Sequence, residues 1–215
     1  KFRLATVGPR FTDFRSLTSG DFDGDGVDDL LASKGIDMAQ QLEVRYGSPV
    51  GLPANRDGLL DRPLFLNFSF LSIWATAGDF NGDGFSDAAV FLEALMPAGH
   101  SGTWDRRFSL YLGSSAGLQG IPVFQTTRLL ALEPSEVSDL NGDGRDDLIA
   151  WDSGSTAVFY GTSAGLDTVP NETFPFDFTH GGFRCGNLNG DGFADLIIMD
   201  QIISRVRAFR LLGSP

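Results

Sequence analysis

The sequence predicts an all-β protein of 215 residues built from repeats. One recurring segment is a nine-residue polar loop, which starts at Asp21, Asp79, Asp139 and Asn187. Another is the pattern G-S/T-x-x-G-L, which ends at Leu52, Leu118 and Leu166. The polar loops start 58, 60 and 48 residues apart. A period of this size is typical of solenoids, propellers and repeat arrays.

Each repeat is expected to contain four strands. The first enters the polar loop and the second leaves it, as LLAS, AAVFLE, LIAWD and LIIMD. The third precedes G-S/T-x-x-G-L, and the fourth returns in PLFLNFSF, PVFQTTRLL and ETFPFDF. These short apolar runs, bounded by glycine and polar turns, are typical of strands. The last repeat stops after its third strand, RVRAFRLL, whereas the chain opens with a strand-like KFRLATV ahead of the first loop.

The polar loops have the ligand pattern of a hard cation. Oxygen-bearing side chains stand at positions 1, 3, 5 and 9, glycine stands at position 6, and position 7 varies as if only its carbonyl binds. Ca²⁺ takes six to eight oxygens at about 2.3–2.6 Å. The sequence therefore predicts four calcium ions. The predicted ligands are Asp21, Asp23, Asp25, Val27 and Asp29; Asp79, Asn81, Asp83, Phe85 and Asp87; Asp139, Asn141, Asp143, Arg145 and Asp147; and Asn187, Asn189, Asp191, Phe193 and Asp195.

Two alternatives to this interpretation are disfavoured. An EF-hand closes with Glu at position 12 between two helices, but position 12 here is Ala32, Val90, Ala150 or Ile198, within strand-like runs. The D-G and N-G pairs alone could form simple hairpin turns. Four copies with every ligand position filled favour metal loops instead.

Charge and composition agree with calcium binding. The loops supply four, three, three and two carboxylates at the ligand positions, which is 12 of the 28 acidic residues. Four Ca²⁺ ions would change the formal net charge from −12 to −4. Nucleic-acid binding is unsupported, and without a stretch of about 18 apolar residues we expect no membrane insertion.

The chain offers few groups for catalysis. Cys185 is the single cysteine, so no intramolecular disulfide can form, and a buried thiol is its expected role. His100 and His180 are the only histidines, and neither has a recognisable catalytic or zinc-binding spacing. We therefore expect no enzyme activity. Because such loops fill where calcium is millimolar, we expect a secreted or cell-surface protein.

Together, the D-x-[DN]-G-D-G-x-x-D loop and the Y/L-x-G-S-x-x-G-L pattern resemble the FG-GAP or VCBS-type repeats of integrin α-subunit β-propellers and their bacterial relatives. The resemblance covers essentially all 215 residues. It implies that each repeat is a four-stranded antiparallel blade with calcium between strands one and two. The chain departs from the integrin pattern in two ways. It has four repeats instead of seven, and its last loop has Asn187 and Asn189 in place of carboxylates.

As one domain spanning residues 1–215, the chain is expected to form a four-bladed propeller. The N-terminal strand would complete the last blade and remove an exposed edge. Two alternatives stay open: two chains could pair as a homodimer to make a larger ring, or the chain could be part of a longer propeller.

In the family that the chain resembles, partners bind the face opposite the calcium turns. On that face the second repeat has a long connection, EALMPAGHSGTWDRR, and its candidate partner-binding residues are His100, Trp104, Asp105, Arg106 and Arg107. This connection could instead fold back and bury Trp104. The favoured function is a non-catalytic module for adhesion that binds a protein or carbohydrate. The alternatives are a propeller lectin and the propeller domain of a secreted enzyme such as a polysaccharide lyase.

Overall fold

The structure is a computed structural model. It describes residues 14–34, 41–52, 57–59, 70–95, 104–126, 133–151, 155–174, 182–191, 193–200 and 205–209. Within these ranges every regular element is a β-strand, and all strand pairs are antiparallel. No helix in these ranges is long and apolar enough to cross a membrane.

The first two repeats each form a four-stranded sheet in which strands adjacent in sequence are adjacent in space. The first sheet contains β1 (Phe14–Gly20), β2 (Asp29–Lys34), β3 (Gln41–Arg45) and β4 (Asp57–Leu59). The second contains β5 (Phe70–Gly78), β6 (Asp87–Leu95), β7 (Trp104–Tyr111) and β8 (Phe124–Thr126). In both, the polar loop joins the first strand to the second, as predicted.

The third and fourth repeats follow the same plan. The third sheet contains β9 (Glu133–Ser138), β10 (Asp147–Trp151), β11 (Thr156–Phe159) and β14 (Glu172–Phe174). Two very short strands, β12 (Gly161–Thr162) and β13 (Gly165–Leu166), form a hairpin in its G-T-S-A-G-L turn. The described part of the fourth repeat has three strands: β15 (Gly182–Gly186), β16 (Asp195–Asp200) and β17 (Arg205–Phe209).

The second strands of the second and third repeats are apolar because neighbouring sheets cover both of their faces. Leu148, Ile149 and Ala150 on β10 are all buried, and alternate residues belong to different cores. Leu148 and Ala150 pack toward the second repeat, whereas Ile149 packs toward the fourth. A strand covered on both faces needs no polar alternation, which explains the continuous apolar runs in the sequence.

In the part of the chain that the structure describes, three apolar cores lie between consecutive sheets. The first joins Phe22, Leu31, Leu42 and Val44 to residues of the second sheet such as Tyr111. The second core joins the second and third sheets, and the third core joins the third and fourth. The first strands of consecutive repeats also contact one another, β1 with β5, β5 with β9 and β9 with β15. The repeats therefore pack in series.

Two sequence-based assignments need correction. The returning strand of the first repeat is β4, Asp57–Leu59, which lies upstream of the predicted PLFLNFSF. The second-repeat connection is shorter than expected, because β6 extends to Leu95 and β7 begins at Trp104. Register pairs Glu93 with Arg106 and Leu95 with Trp104. Trp104, Asp105, Arg106 and Arg107 are thus strand residues rather than loop residues.

Other expectations fall outside the part of the chain that the structure describes. They are the N-terminal strand in KFRLATV and residues His100 and His180.

Candidate metal centre

The first side chain of each polar loop binds the backbone of its own loop. Asp79 Oδ1 accepts hydrogen bonds from the backbone N–H groups of Gly82 (2.8 Å) and Asp83 (3.0 Å), and Oδ2 accepts from Gly84 (2.9 Å). Asp139 repeats these three bonds in the third loop. Asn187 Oδ1 accepts from Gly190 at 2.7 Å in the fourth. The loop therefore wraps around its first ligand position.

Positions 3 and 5 each accept a hydrogen bond from the backbone N–H two residues further on. In the second loop, Asn81 Oδ1 accepts from Asp83 and Asp83 Oδ1 accepts from Phe85, at 2.9 and 3.0 Å. The other loops repeat both bonds at 2.9–3.2 Å. These Asx turns are typical of Asp and Asn. The Asx turns at positions 3 and 5 therefore recur in all four loops.

Glycine at position 6 has a conformational reason. Its φ is 83° at Gly26, 89° at Gly84 and 83° at Gly144, in the left-handed region that side chains disfavour. The fourth copy, Gly192, lies outside the described residues.

The closing carboxylate at position 9 is buried and holds two separate segments. Asp87 Oδ2 accepts from the N–H of Phe80 inside the loop at 3.1 Å, and Oδ1 accepts from Gly113 at 2.9 Å. Gly113 is the first glycine of G-S-S-A-G-L, 26 residues away. Asp29 binds Phe22 and Gly47 and Asp147 binds Leu140 and Gly161 in the same way, at 2.8–2.9 Å. This carboxylate therefore ties the two recurring motifs together.

The second motif is itself a turn closed by a side chain. Ser114 Oγ donates to the carbonyl of Gly117 at 2.8 Å, and Ser48 and Thr162 repeat the bond with Gly51 and Gly165. Sequence reasoning identified the pattern but missed its bond to the polar loop. The signal was present, since each complete copy of the pattern follows a closing Asp within the same repeat.

In the first loop, three of the predicted ligand side chains converge as a metal site requires. Asp21, Asp23 and Asp29 each offer a carboxylate oxygen, and these oxygens all lie within 4.8 Å of one another. Two oxygens that share an ion at about 2.4 Å are at most about 4.8 Å apart, so the spacing fits Ca²⁺. Oxygens that accept one N–H keep a second lone pair for a cation.

The other loops place an amide at position 3. Asn81 Nδ2 donates to Asp83 Oδ2 at 2.9 Å, and Asn189 Nδ2 donates to Asp191 Oδ2 at 3.2 Å. In these loops the amide at position 3 therefore contacts the carboxylate at position 5. The first loop has a carboxylate, Asp23, at position 3 instead. Charge density is therefore greatest in the first loop.

Burial disfavours the ionised form of the closing carboxylate in the first three loops, Asp29, Asp87 and Asp147. Burial raises the pKa of Asp87 to about 7, with the nearby Asp83 and Asp79 charges adding to the rise and the N–H bond from Gly113 opposing it. Burial likewise raises the pKa of Asp147 to about 6. The pKa of Asp29 is also raised, first by burial and then by Asp23 and Asp21. A bound cation would offset both causes.

Position 7 residues, whose carbonyls were predicted ligands, also contact the preceding loop. A Cβ placed on Gly24 would meet the ring of Phe85, and one placed on Gly142 would meet the ring of Phe193. Arg145 occupies the same place over Gly82. Position 7 side chains therefore pack between neighbouring loops, which explains the glycine at position 4.

The partner-binding candidates are partly described. Arg106 pairs with Glu93 across the β6–β7 hairpin, with Nε and Nη2 each 2.7 Å from Oε1. The Arg106 side chain is 37% exposed. Arg107 is half-buried, and His100 lies outside the described residues.

Cys185 is half-buried on β15 next to the third core. Burial, with smaller contributions from Glu136 and Asp147, raises the pKa of its thiol to about 12. The thiol is therefore protonated at neutral pH and is a poor nucleophile.

Comparison with known families agrees with the repeat assignment. Residues 139–198 match the FG-GAP-like repeat. This segment runs from the first residue of the third polar loop past the closing Asp195 of the fourth. No curated protein matches the chain. The chain therefore carries an FG-GAP-like repeat, the family that its motifs resemble.

Proposed function

We propose that this protein is a calcium-stabilised β-propeller that acts as a non-catalytic, extracellular binding module. The observation that carries the proposal is the buried closing carboxylate, Asp29, Asp87, Asp147 and Asp195, which recurs with the same hydrogen bond to position 2 in all four loops. Burying four ionisable groups beside other acidic side chains is costly unless a cation compensates them.

In this proposal each loop holds one Ca²⁺ ion. The side chains at positions 1, 3, 5 and 9 and the carbonyl at position 7 supply the oxygens. The ion neutralises the clustered carboxylates and fixes the loop to the strand that follows. Since position 9 also binds the G-S/T-x-x-G-L turn, metal binding stabilises the sheet as well as the loop.

Serial packing supports a propeller. Consecutive sheets share apolar cores, and the first strands of consecutive repeats contact one another. Those contacts suit first strands that surround a common axis, as in propellers of about four to eight blades. We propose four blades, with the N-terminal segment supplying the fourth strand of the last one. Sedimentation analysis tests this directly, because a ring closed by one chain is a monomer and a shared ring is a homodimer.

Chelation tests the calcium role. A ligand that binds only the folded state adds about 2.7 kcal/mol per site at a hundredfold excess over its dissociation constant. Removing calcium with EDTA should lower the melting temperature clearly, and adding excess Ca²⁺ should restore it. Elemental analysis should find four calcium ions per chain. A melting curve that does not change after confirmed metal removal would contradict the structural role of calcium.

The binding role is assigned to the second-repeat hairpin. It combines Trp104, Asp105, Arg106 and Arg107 on one strand with His100 in the connection, and Trp and Arg are enriched at binding hot spots. A glycan array probed with calcium-loaded protein tests for a carbohydrate partner, with the Trp104→Ala/Arg106→Ala variant as the control. Array signal that persists in this variant would place the site elsewhere.

A further inference from the structure

The eighth residue of one polar loop contacts the first residue of the preceding loop. The N–H of Ser86 donates to the carbonyl of Asp21 at 2.9 Å, and the N–H of Asp146 donates to the carbonyl of Asp79 at 2.9 Å. The polar loops of neighbouring repeats are therefore joined through their backbones. Each bond lies next to two predicted ligand positions. Its donor precedes the ninth residue of one loop, and its acceptor is the first residue of the preceding loop.

Asp146 adds a second bond through its side chain. Its Oδ2 accepts the N–H of Asp79 at 2.8 Å. Both backbone polar groups of Asp79 are thus bound by Asp146, while the Asp79 carboxylate accepts the three N–H groups that shape the second loop. Asp146 therefore fixes the position from which the second loop folds.

Among the residues that the structure describes, the other repeats show no equivalent carboxylate contact at this place. Position 8 is Ser86 in the second loop, which has a shorter side chain, and Ala194 in the fourth, which has no acceptor. In the first loop it is Asp28, whose side chain is exposed, whereas Asp146 is half-buried. The carboxylate link is specific to the second and third loops.

We propose that Asp146 is a positioning residue that couples calcium binding in the third loop to calcium binding in the second. This inference rests on the proposed calcium function. Asp146 directly precedes the closing ligand Asp147, so calcium in the third loop orders Asp146, and Asp146 orders Asp79. The second loop then binds calcium at a smaller entropic cost. By reciprocity, calcium in the second loop favours binding in the third to the same extent.

Calcium titration followed by hydrogen–deuterium exchange of loop peptides tests the coupling, because each loop gives its own midpoint. Asp146→Ala should raise the midpoint of the second loop at least about fivefold, the lower end of typical allosteric coupling. Asp146→Asn keeps an oxygen for the Asp79 N–H, so it should shift that midpoint less. Asp28→Ala makes the same change at an exposed position 8 and should leave the calcium midpoint of the second loop unchanged.

Removing calcium from the third loop provides an independent test. Asp143→Ala deletes a predicted ligand of the third loop that does not contact Asp79. It should weaken calcium binding in the second loop only when Asp146 is present. Asp191→Ala in the fourth loop is the matched control and should leave calcium binding in the second loop unchanged.

The outcomes are distinguishable. If no loop of the wild-type protein gains protection with Ca²⁺, the calcium function itself is wrong and the coupling with it. If the loops gain protection but Asp146→Ala and Asp146→Asn both leave the second-loop midpoint unchanged, calcium binds and the coupling proposal is overturned. A shift of equal size in all four loops would also overturn it, because that result indicates general destabilisation.

Discussion

The backbone N–H of Gly113 donates a 2.9 Å hydrogen bond to Oδ1 of Asp87, the closing residue of the second polar loop. The bond joins residues 26 positions apart, and both are buried. Its equivalents join Gly47 to Asp29 and Gly161 to Asp147. The two sequence motifs of each complete repeat are therefore one structural unit, in which a carboxylate binds both the polar loop and the turn after the third strand.

Asp87 should stabilise the fold even without calcium. Asp87→Ala leaves the N–H of Gly113 without its acceptor, whereas the N–H of Phe80 keeps the carbonyl of Gly78 at 3.1 Å. We expect the free energy of unfolding to fall by about 1–3 kcal/mol in EDTA, the cost of one unsatisfied buried N–H. Denaturant unfolding measures this change.

Asp83→Ala is the matched control, because Asp83 lies in the same loop but is exposed. It should weaken calcium binding and change stability in EDTA by less than about 1 kcal/mol. If the two variants were equally stable in EDTA, Asp87 would act only through the metal.

Three glycines should respond to alanine in graded order. A Cβ on Gly113 would overlap the carbonyl oxygen of Ser86, so Gly113→Ala should cost about 2–4 kcal/mol. Gly84 has open space but a φ of 89°, so its replacement should cost about 1–2 kcal/mol. Gly120 has open space and no positive φ, and its change should stay within about 0.5 kcal/mol. Thermal unfolding of the three variants checks this order.

Stability of the calcium-free protein should fall as pH rises from about 4 to about 7. Burial raises the pKa of Asp87 from 3.8 to about 7 and that of Asp147 to about 6. In this window the folded state holds protons that the unfolded chain has already released, so raising the pH favours unfolding. Calcium needs the ionised carboxylates, and its stabilising effect should therefore grow over the same window.

Urea unfolding in EDTA at several pH values measures this slope. Asp87→Asn removes one of the titrating groups, so its slope should be shallower than that of the wild type. A wild-type protein whose stability rises with pH in EDTA would contradict the assigned direction.

Local chemistry explains what could be predicted from sequence. The polar loops are contiguous in sequence, so the spacing of Asp79, Asn81, Asp83 and Asp87 is enough to predict both the turn and the flanking strands. By contrast, the bonds from Asp87 to Gly113 and from Asp146 to Asp79 join segments 26 and 67 residues apart. No local pattern specifies such a pairing, because it depends on how strands and repeats pack.

Strand ends were the least predictable feature. The polar and aromatic residues at Trp104–Arg107 suggested a loop, but cross-strand pairing with β6 extends the hairpin. Glu93 and Arg106 lie directly opposite each other and form an ion pair. Residues with the composition of a polar loop therefore continue the sheet. Pairs of opposite charge across a ladder are recognisable only when the register is known.

The fourth loop should lose calcium first. The predicted ligands include four carboxylates in the first loop, three in the second and third, and two in the fourth, so electrostatic attraction weakens in that order. Position 5 variants test this ranking without disturbing the closing carboxylate. In a calorimetric Ca²⁺ titration, Asp191→Ala should remove the weakest binding step. Asp25→Ala should remove the tightest binding step. The reverse assignment would refute ranking by charge.

Arg106→Ala should leave the stability nearly unchanged. The Arg106 side chain is 37% exposed, and exposed ion pairs contribute about 0–1 kcal/mol. Glu93→Ala removes the same pair from the other side and should have an effect of similar size. If Arg106 belongs to the partner site, only Arg106→Ala should weaken partner binding, by about 2 kcal/mol or more for a hot spot. Thermal unfolding and glycan-array titration of both variants separate these effects. Equal loss of binding in both would mean that the ion pair orders the hairpin and that Arg106 does not contact the partner.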